Sequence, residues 1–476
     1  MRERVVRNAG WLIAALAFAV IFPGLSTGWI GDDAFYSTLN GVLSADHESL
    51  VRAMVHSFDL WFYGNGRFYP LLIVEKYLVF SLFTNVVAYK LLLAAATLGV
   101  IELFRRTVAA YTNVAIGNLA ALIVAASCVE RAYQDPILAY NAMPQMVAAL
   151  MLASLWAFRG WNEQRSARVL SVVCYLLAAL TYEDVFTLAA LYPLIAWLRG
   201  ERGTRLLRSS LPFAIIACGL AAFALAMRAA VHLPSNALYA ASFAVPAFAR
   251  TAWYQISAAL PLSYWLFDPQ GIFDRSNLIS FYRNAPISPF VVLAFIVAGI
   301  YFVRDAMRSR VAAAPLAAVG AAALVLPAIP IAATLKYQHE LRLGLGYLPV
   351  FFELFGTALV ATALILRIGR RGATRTTIAV TACVIALVAG MAQAQLRHGL
   401  AAGVSDGSFI AIAPQFDWIV LGDGGPDGIG TRGMFYLQAL KRVTLVAPGD
   451  ARARYLLTYD ERQQRWTLRR APLSSP

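Results

Sequence analysis

Two adjacent carboxylates follow the first apolar segment of the chain, within residues 31 to 36, whose sequence is Gly-Asp-Asp-Ala-Phe-Tyr. Ionised side chains at a membrane boundary cost free energy to bury, so they mark places where a pathway, a ligand or a reaction uses them. Asp32 and Asp33 therefore predict an enzyme that works at a membrane face. The alternative is structural, because adjacent aspartates often cap a helix, here one that begins at Ala34.

A second acidic pair, Glu183 and Asp184, lies between two short apolar runs, residues 169 to 182 and 185 to 198. The runs are so short that the pair must lie near or slightly within the membrane boundary, where an unpaired carboxylate is expensive. Acceptor binding and a structural ion pair both fit this pattern. The expected partners are the substrate, Arg67 and Arg131.

Composition places these residues in a membrane protein. Of 476 residues, 60% are hydrophobic and 14% are charged, and the mean hydropathy is +0.63. This apolar content exceeds what a soluble domain needs. The formal charge of +14 is explained by the Lys and Arg that gather in cytoplasmic loops, so nucleic acid is not an expected partner. The four cysteines lie inside apolar runs and show no metal-ligand spacing, which indicates neither a disulfide framework nor a zinc site.

Apolar runs of roughly 17 to 23 residues predict about eleven transmembrane helices. The first follows an arginine-rich N-terminus and lacks a good cleavage site, so we expect an uncleaved signal anchor. The predicted spans lie near residues 10–25, 84–104, 113–130, 142–158, 168–183, 185–198, 211–230, 287–303, 311–334, 347–367 and 376–394.

Arginine clusters occur at every second junction between these spans, and retained cytoplasmic loops carry the Lys and Arg excess. The pattern predicts a cytoplasmic N-terminus and an extracytoplasmic C-terminus. Most acids and all five histidines fall at the opposite junctions, so titratable chemistry is expected on the outer face. The clusters are Arg2/Arg4/Arg7, Arg105/Arg106, Arg159/Arg165/Arg168, Arg199/Arg202/Arg205/Arg208, Arg304/Arg308/Arg310 and Arg367/Arg370/Arg371/Arg375.

Three outer regions are expected to be more than connectors. One of them, residues 231 to about 286, is rich in aromatic residues and suits a wall that faces the headgroup region. In the first outer loop, residues 39 to 62 and 71 to 83 read as helices that lie at the membrane interface. From residue 395 onward, short β-prone runs alternate with turns such as residues 422 to 430. The expected strands are residues 409–413, 417–421, 443–447, 455–459 and 466–468.

The expected fold class is an all-α polytopic membrane protein with a small C-terminal soluble domain of α/β or β type. The transmembrane domain is predicted to comprise residues 1–394, and the extracytoplasmic domain residues 395–476. A domain of about 80 residues is within the usual size range for independent folding.

Together these features resemble the C-type glycosyltransferase (GT-C) superfamily of membrane enzymes, which take a sugar from a polyprenyl-phosphate carrier. As architecture, the resemblance covers nearly the whole chain. The absence of a Trp-Trp-Asp signature in the tail makes the chain look closer to uncharacterised bacterial members than to protein O-mannosyltransferases or oligosaccharyltransferases. The short motifs that carry the resemblance are Asp32-Asp33, Gly66-Arg67-Phe68, Tyr182-Glu183, Lys336 to Glu340 and Gly346-Tyr347.

The resemblance implies an inverting sugar transfer in which one carboxylate takes the acceptor proton while the phosphate leaves. Asp32 is the candidate base, and Asp33 either orients the acceptor or keeps Asp32 basic through like-charge repulsion. No cofactor is predicted. A divalent cation is the alternative, since some superfamily members bind one at their acidic residues, but His47 and His56 lack a recognised ligand spacing.

The leaving phosphate needs fixed cations in a poorly hydrated site. Arg67 suits a bidentate contact and Lys336 a point-charge contact, and we expect the two to lie within about 10 Å of each other. Tyr337, His339 and Arg342 are expected to complete the cage. For Lys336 and Arg342 the alternative is ordinary snorkelling at the end of a span.

The predicted function is a membrane glycosyltransferase that transfers a sugar from a polyprenyl-phosphate carrier to a glycan, lipid or protein acceptor on the outer face of a bacterial inner membrane. A transporter or flippase of lipid-linked sugars and a catalytically inactive scaffold stay open. A transporter is expected to have polar or broken helices near the midplane, whereas the charges here cluster at one face. The nearest enzymatic rival, an O-antigen polymerase or ligase, uses lipid-diphosphate donors.

Overall fold

The structure is a computed structural model, and most of its described residues are helical. It describes residues 2–26, 33, 36, 39, 43, 48–64, 66–128, 137, 140–230, 239–263, 287–372, 374–404, 418–421, 444–446, 455–460 and 465–470. The helices are α1 Arg2–Ile21, α2 Leu50–Asp59, α3 Pro70–Leu82, α4 Val86–Tyr111, α5 Val114–Ala126, α6 Met143–Phe158, α7 Arg165–Thr181, α8 Val185–Leu188, α9 Leu191–Leu198, α10 Gly203–Ala230, α11 Val245–Ala258, α12 Pro289–Met307, α13 Ala313–Val325, α14 Ala328–Ala332, α15 Leu335–Glu340, α16 Val350–Arg370 and α17 Arg375–Val404.

Among the described residues, seven helices are long and apolar enough to cross a membrane, and they make the chain a multi-pass membrane protein. The other predicted spans coincide with α7 or with the shorter apolar helices Ala9–Leu25, Val114–Ala126 and Val185–Leu198. A total of eleven spans stays a prediction. The seven are Val87–Tyr111, Tyr140–Phe158, Gly203–Ala230, Pro289–Met307, Ala313–Ala332, Val350–Arg370 and Arg375–Ala394.

Helix α5 lies at the centre of the bundle. Its side chains from Ile116 to Ala126 are all buried, and α1, α4, α12, α16 and α17 pack around it. An apolar helix enclosed on all sides needs no polar face. This explains why its 13 residues are nearly all apolar; the exception, Asn118, accepts a hydrogen bond from Arg105 at 3.0 Å.

Contacts between junctions divide the chain into two faces. At the arginine-rich junctions, the Asn113 side chain donates to Ser309 at 2.7 Å, and the Arg370 guanidinium donates to the Val311 carbonyl at 2.8 Å. The acid-rich junctions contact one another in the same way, as described below. Three of the six arginine-rich junctions therefore lie on one face, and the full alternation stays a prediction. Which face is cytoplasmic stays a prediction.

The first loop contains two helices that are too short to cross a membrane. Helix α2 begins after Ser49, whose side chain accepts a hydrogen bond from the Arg52 amide, and it continues into a π-helical turn, Leu60–Gly64. Helix α3 begins with Pro70 at its first position, where a missing N–H costs nothing. The described residues from 50 to 64 and from 70 to 82 are thus helical, in agreement with the later part of the first predicted helix and with the second. Most of residues 40–47 lie outside the described part of the chain, and the position of the loop at the membrane interface stays a prediction.

The tail contains a four-stranded sheet in the order β2-β1-β3-β4. Strand β1 is parallel to β2 and β3, and β3 is antiparallel to β4. These strands match the last four predicted runs, whereas the first run, 409–413, lies outside the described residues. The strands are β1 Trp418–Leu421, β2 Thr444–Val446, β3 Tyr455–Asp460 and β4 Arg465–Arg470.

The last helix of the bundle, α17, continues to Val404. The domain boundary predicted at residue 395 therefore falls inside a helix. The division into a transmembrane domain and a separate C-terminal domain stays a prediction.

Candidate functional site

A tight turn at Gly66 presents Arg67. Gly66 adopts a left-handed φ of 61°, and the amides of Gly66 and Arg67 donate to the carbonyls of Phe62 and Trp61, which folds the loop back on the π-helical turn. A Cβ at residue 66 would lie 2.8 Å from the Arg228 Cα, near the end of α10. Only glycine permits both this conformation and this approach. The turn therefore brings the loop into direct contact with α10.

Phe68, two residues after Gly66, anchors the turn. Its ring packs edge-on against Phe223 of α10, with the centroids 5.0 Å apart, and also contacts Phe62. Its amide donates to Glu183 Oε1 at 3.4 Å. The motif Gly66-Arg67-Phe68 thus fixes the backbone on both sides of the arginine, and the guanidinium position follows from that.

The Arg67 guanidinium lies among aromatic rings. Its central carbon is 4.7 Å from the centroid of the Tyr69 ring, 4.8 Å from that of Tyr239 and 6.0 Å from that of Trp61. Rings at these distances attract the cation through their quadrupole and hold its plane in place. The buried Arg67 Nε has no hydrogen-bond partner. Arg67 is therefore a positioned cation whose hydrogen-bonding capacity is not used up within the protein.

Glu183 is the carboxylate partner of two arginines. Its Oε2 lies 2.8 Å from an Arg228 terminal nitrogen and 3.5 Å from Arg67 Nε. Of the alternatives left open by the sequence, the structure shows the ion pair for Glu183, with Arg228 as the additional partner. Arg131, the other expected partner, lies outside the described residues.

Lys336 and Arg67 both lie close to the ring of Tyr239. The Lys336 ammonium lies 5.2 Å from the Tyr239 ring centroid and donates to the Tyr239 hydroxyl at 3.3 Å, and the Arg67 guanidinium lies 4.8 Å from the same centroid. Taken together, the two ring distances allow at most about 10 Å between the charged groups. The predicted spacing of Arg67 and Lys336 is confirmed.

Backbone pairing explains how Lys336 reaches this position. Ala241 and Thr334 form an antiparallel bridge, in which the Leu335 amide donates to the Ala240 carbonyl and the Ser242 amide to the Ala333 carbonyl. The bridge ties the segment after Tyr239 to the start of α15. The ring of Tyr337, the next residue along α15, packs on Tyr347 with the centroids 4.5 Å apart.

His339 and Arg342 lie apart from this cation pair. With Arg250 and Tyr254 they line a cavity of about 450 Å³ on the same face. An Arg250 terminal nitrogen lies 3.5 Å from the Gln338 carbonyl, which attaches α11 to α15. The residues predicted for the phosphate cage thus lie in two places. Arg67 and Lys336 lie at the Tyr239 ring, with Tyr337 beside Lys336, whereas His339 and Arg342 line a neighbouring cavity.

Asp184 is buried beside the arginine pair. Burial raises the pKa of its carboxyl to about 7, although the neighbouring Tyr182 hydroxyl, Arg67 and Arg228 favour the charged form. The group is therefore close to half protonated at neutral pH. It does not neutralise the arginines as a fully ionised aspartate would.

Asp33 occupies a second polar cluster. Its carboxylate is fully buried, and it accepts a short hydrogen bond from the Tyr89 hydroxyl and another from the Asn141 amide at 3.1 Å. Both oxygens are therefore engaged within the protein. This arrangement suits a residue that holds the first loop in position. Asp32, the predicted base, lies outside the described residues.

Asn141 joins Asp33 to a further carboxylate. Its side-chain amide donates to Glu75 Oε2 through a short hydrogen bond. Burial raises the pKa of Glu75 well above its usual range, and the proximity of Asp33 raises it further, while the bond from Asn141 opposes the shift. The buried Glu75 carboxyl therefore holds its proton more tightly than an exposed glutamate does.

The turn that carries Asn141 is left-handed. Tyr140, Asn141 and Ala142 have φ values of 65°, 47° and 65°, which L-residues rarely adopt in succession. Such strain persists only where the surrounding contacts fix it. The hydrogen bonds to Asp33 and Glu75 are the contacts that fix this turn.

Several residues of the site were not predicted from the sequence. Among these, only Glu75 carried a signal in the sequence, as a charge that interrupts an apolar helix. Arg228 sits at the end of a span, where arginine is ordinary, and uncharged residues are not distinctive without a structure. The residues missed are Glu75, Tyr89, Asn141, Arg228 and Tyr239.

The residues that the structure describes contain no group of three or more His, Cys, Asp or Glu side chains arranged to hold a metal ion. His56 and Asp59 are exposed on α2, and His47 lies outside the described part of the chain. Metal dependence of the site stays untested.

Comparison with known proteins finds a structural similarity but no sequence match. No protein-family model matches the chain, and no curated protein matches it in sequence. Among solved structures, it is similar to ArnT from Cupriavidus metallidurans, which was crystallised bound to undecaprenyl phosphate. The two share 14% sequence identity, the similarity covers 93% of this chain and 86% of that chain, and the TM-score is 0.41. At this distance the chemistry of the chain has to be inferred from its own residues.

Proposed function

We propose that the chain is a membrane glycosyltransferase that takes a sugar from a polyprenyl-phosphate carrier and transfers it, with inversion, to a hydroxyl of a glycan, lipid or protein acceptor. The reaction is proposed to occur at the outer face of a bacterial inner membrane. The residues proposed to carry it are Asp32 as base and Arg67 and Lys336 as the cations for the donor phosphate.

One observation carries the proposal: an excess of positive charge among packed residues at one membrane face. Arg67, Arg228 and Lys336 surround Tyr239 and Glu183, and in the described part of the chain only Glu183 forms an ion pair with any of them. Burial raises the pKa of Asp184 to about 7, and Glu340, four residues after Lys336 on α15, forms no ion pair with that lysine in the described part of the chain. Glu183 is thus the one ion-paired carboxylate found for three cations there, and cations without ion pairs at a membrane boundary are costly, so we expect an anionic ligand between Arg67 and Lys336. A lipid-linked phosphate is negatively charged and lies at the membrane boundary, so it fits both requirements.

The chemistry follows from the charges. As the bond between the sugar carbon and the phosphate oxygen breaks, the leaving phosphate gains negative charge, which Arg67 and Lys336 stabilise. The acceptor oxygen forms the new bond to the sugar carbon, and Asp32 takes its proton. The aromatic rings around Arg67 exclude water and keep the guanidinium in one orientation.

The experiment is a turnover assay with purified protein in nanodiscs and a panel of short-chain polyprenyl-phosphate sugars, in which released polyprenyl phosphate is measured. We expect Asp32→Asn to lower turnover by roughly 10²-fold, the usual scale for loss of a general base. Asp59→Asn changes an exposed acid of the same loop and serves as the matched control. Near-normal release by the Asp32 variant would remove Asp32 from the mechanism.

The same protein in sealed liposomes distinguishes the other classes. A transporter moves a fluorescent lipid-linked sugar across the bilayer and leaves it intact. An inactive scaffold neither cleaves nor moves it. Cleavage without movement of the intact donor is the result that the proposed function requires.

A further inference from the structure

A cavity of about 570 Å³ opens on the arginine-rich face, far from the site described above along the spans. It lies between the last turns of α12 and the first turn of α17. The lining residues follow one face of each helix at spacings of three and four. They include Ile300, Arg304 and Arg308 of α12 and Arg375, Ile378 and Ala379 of α17.

A close contact between α12 and α17 lies deeper in the span than the cavity. A Cβ at Gly299 of α12 would be 3.0 Å from the Ala382 Cβ of α17. Nearer the arginine-rich face, the same two helices line the cavity.

The mouth of the cavity is strongly positive. Arg304, Arg308 and Arg375 form no ion pair and donate no side-chain hydrogen bond to another residue in the described part of the chain. The N-terminus of α17 points to the same place and adds the positive end of a long helix dipole. Asp305 is adjacent to Arg304 in sequence, and the three guanidinium groups together leave a net positive charge that favours an anion there.

The interior of the cavity is apolar and faces lipid. Ile300 lies one helical turn deeper in the span than Arg304, and Ile378 lies one turn deeper than Arg375. Ile300 is 41% exposed, and Val297 and Val384 of the same two helices are exposed as well. A ligand that fits both parts needs an anionic head and hydrocarbon chains.

We infer that this cavity binds the headgroup of an anionic phospholipid. The phosphodiester lies between Arg304 and Arg375, and an acyl chain runs along Ile300 and Ile378 into the bilayer. A soluble phosphate would use the arginines but gain nothing from the apolar wall. Basic pockets between transmembrane helices are suited to lipid headgroups for this reason.

The test measures binding of phosphatidylglycerol to the full chain by native mass spectrometry after delipidation, with phosphatidylcholine as the neutral comparison. An arginine near an anionic membrane surface contributes about fivefold in affinity, so Arg304→Gln with Arg375→Gln is expected to weaken phosphatidylglycerol binding roughly 30-fold. Arg168→Gln, an exposed arginine of the same face outside the cavity, is expected to leave binding unchanged.

A second variant tests the apolar wall without changing charge. Ala379→Trp fills the cavity and is expected to reduce phosphatidylglycerol binding while every arginine remains. Equal binding by the double arginine variant and the wild type would overturn the inference. So would equal binding of phosphatidylcholine, or displacement of phosphatidylglycerol by millimolar glycerol phosphate as readily as by the lipid itself. The assay uses no sugar donor, so its outcome is independent of the proposed enzymatic function.

Discussion

Arg67 and Lys336 lie against the same aromatic ring, that of Tyr239, although one residue belongs to the first loop and the other to a short helix near the end of the bundle. The two ring distances place the charged groups at most about 10 Å apart, and their sharing of one phosphate stays a prediction. The bridge between Ala241 and Thr334 and the turn at Gly66 are the backbone features that bring them together.

The first prediction concerns the unequal contributions of these cations. Arg67→Ala removes two potential hydrogen bonds and a charge, and we expect a loss of donor turnover of roughly 10²-fold to 10³-fold. Lys336→Ala removes a single charge-assisted contact, and a loss of about tenfold to 10²-fold is expected. Turnover is measured at saturating acceptor. Arg52→Ala changes an arginine that is 83% exposed in the same loop and should have no effect. The proposal fails if Arg67→Ala behaves like this control.

The second prediction concerns the turn. Gly66→Ala places a Cβ 2.8 Å from the Arg228 Cα and forces a left-handed φ on alanine, which costs about 1–2 kcal/mol before any clash is counted. Both the melting temperature and donor turnover should therefore fall.

Gly64→Ala is the matched control for the turn. Its Cβ would meet nothing closer than the end of the Leu60 side chain at 3.7 Å, so it should resemble the wild type. If Gly66→Ala melts and turns over as Gly64→Ala does, the described approach of the loop to α10 is incorrect.

The third prediction concerns the ion pair beneath Arg67. Glu183→Gln leaves two half-buried arginines without their carboxylate. Loss of one partner from a fully buried ion pair costs about 3–5 kcal/mol in unfolding free energy. Because this pair is only partly buried, a loss of about 3 kcal/mol is expected. Thermal melts in detergent measure this loss of unfolding free energy. Glu48→Gln breaks an exposed pair with Arg52, whose atoms are 3.9 Å apart, and should cost less than 1 kcal/mol. Equal losses from the two variants would contradict the prediction.

The fourth prediction is a pH dependence that originates at Asp184. The unfolded chain releases this proton at about pH 4, whereas the buried carboxyl keeps it up to about pH 7. Between these values the folded state binds more protons than the unfolded state, so the free energy of unfolding decreases as the pH rises and is constant above. Asp184→Asn removes this contribution. Its melting temperature should fall less than that of the wild type between pH 5 and pH 8. If the melting temperatures of the two proteins change with pH in parallel, the pH dependence does not originate at Asp184.

The sequence predicted the elements better than the contacts between them. Span positions and the alternation of faces follow from hydropathy and arginine placement, which are local properties, and helices were found at every predicted span. Arg67 could be singled out because glycine and phenylalanine beside an arginine far from any cytoplasmic edge are unusual. The division of the expected phosphate cage depended on which side of a six-residue helix each residue occupies, and the sequence does not determine how such a short helix is oriented.

Polar residues on buried helices were the hardest to predict. Tyr89 lies in an apolar span. Asn141 lies in a left-handed turn that contains no glycine, so the sequence does not indicate the turn. Their roles depend on Asp33 and Glu75, which are distant in sequence. Without coordinates, neither the pairing nor the strain could be inferred.

The strained turn at residues 140–142 changes how mutagenesis of the acidic pair must be interpreted. Each left-handed residue costs roughly 1–2 kcal/mol, and Asp33 helps to hold all of them. A substitution of Asp33 therefore removes a carboxylate and releases backbone strain at the same time, so its effects and those of substitutions at Asn141 will not be additive. A double-mutant cycle between Asp33→Asn and Asn141→Gly separates the two contributions. Loss of activity in an Asp33 variant alone therefore does not distinguish a changed backbone at residues 140–142 from the loss of a catalytic carboxylate.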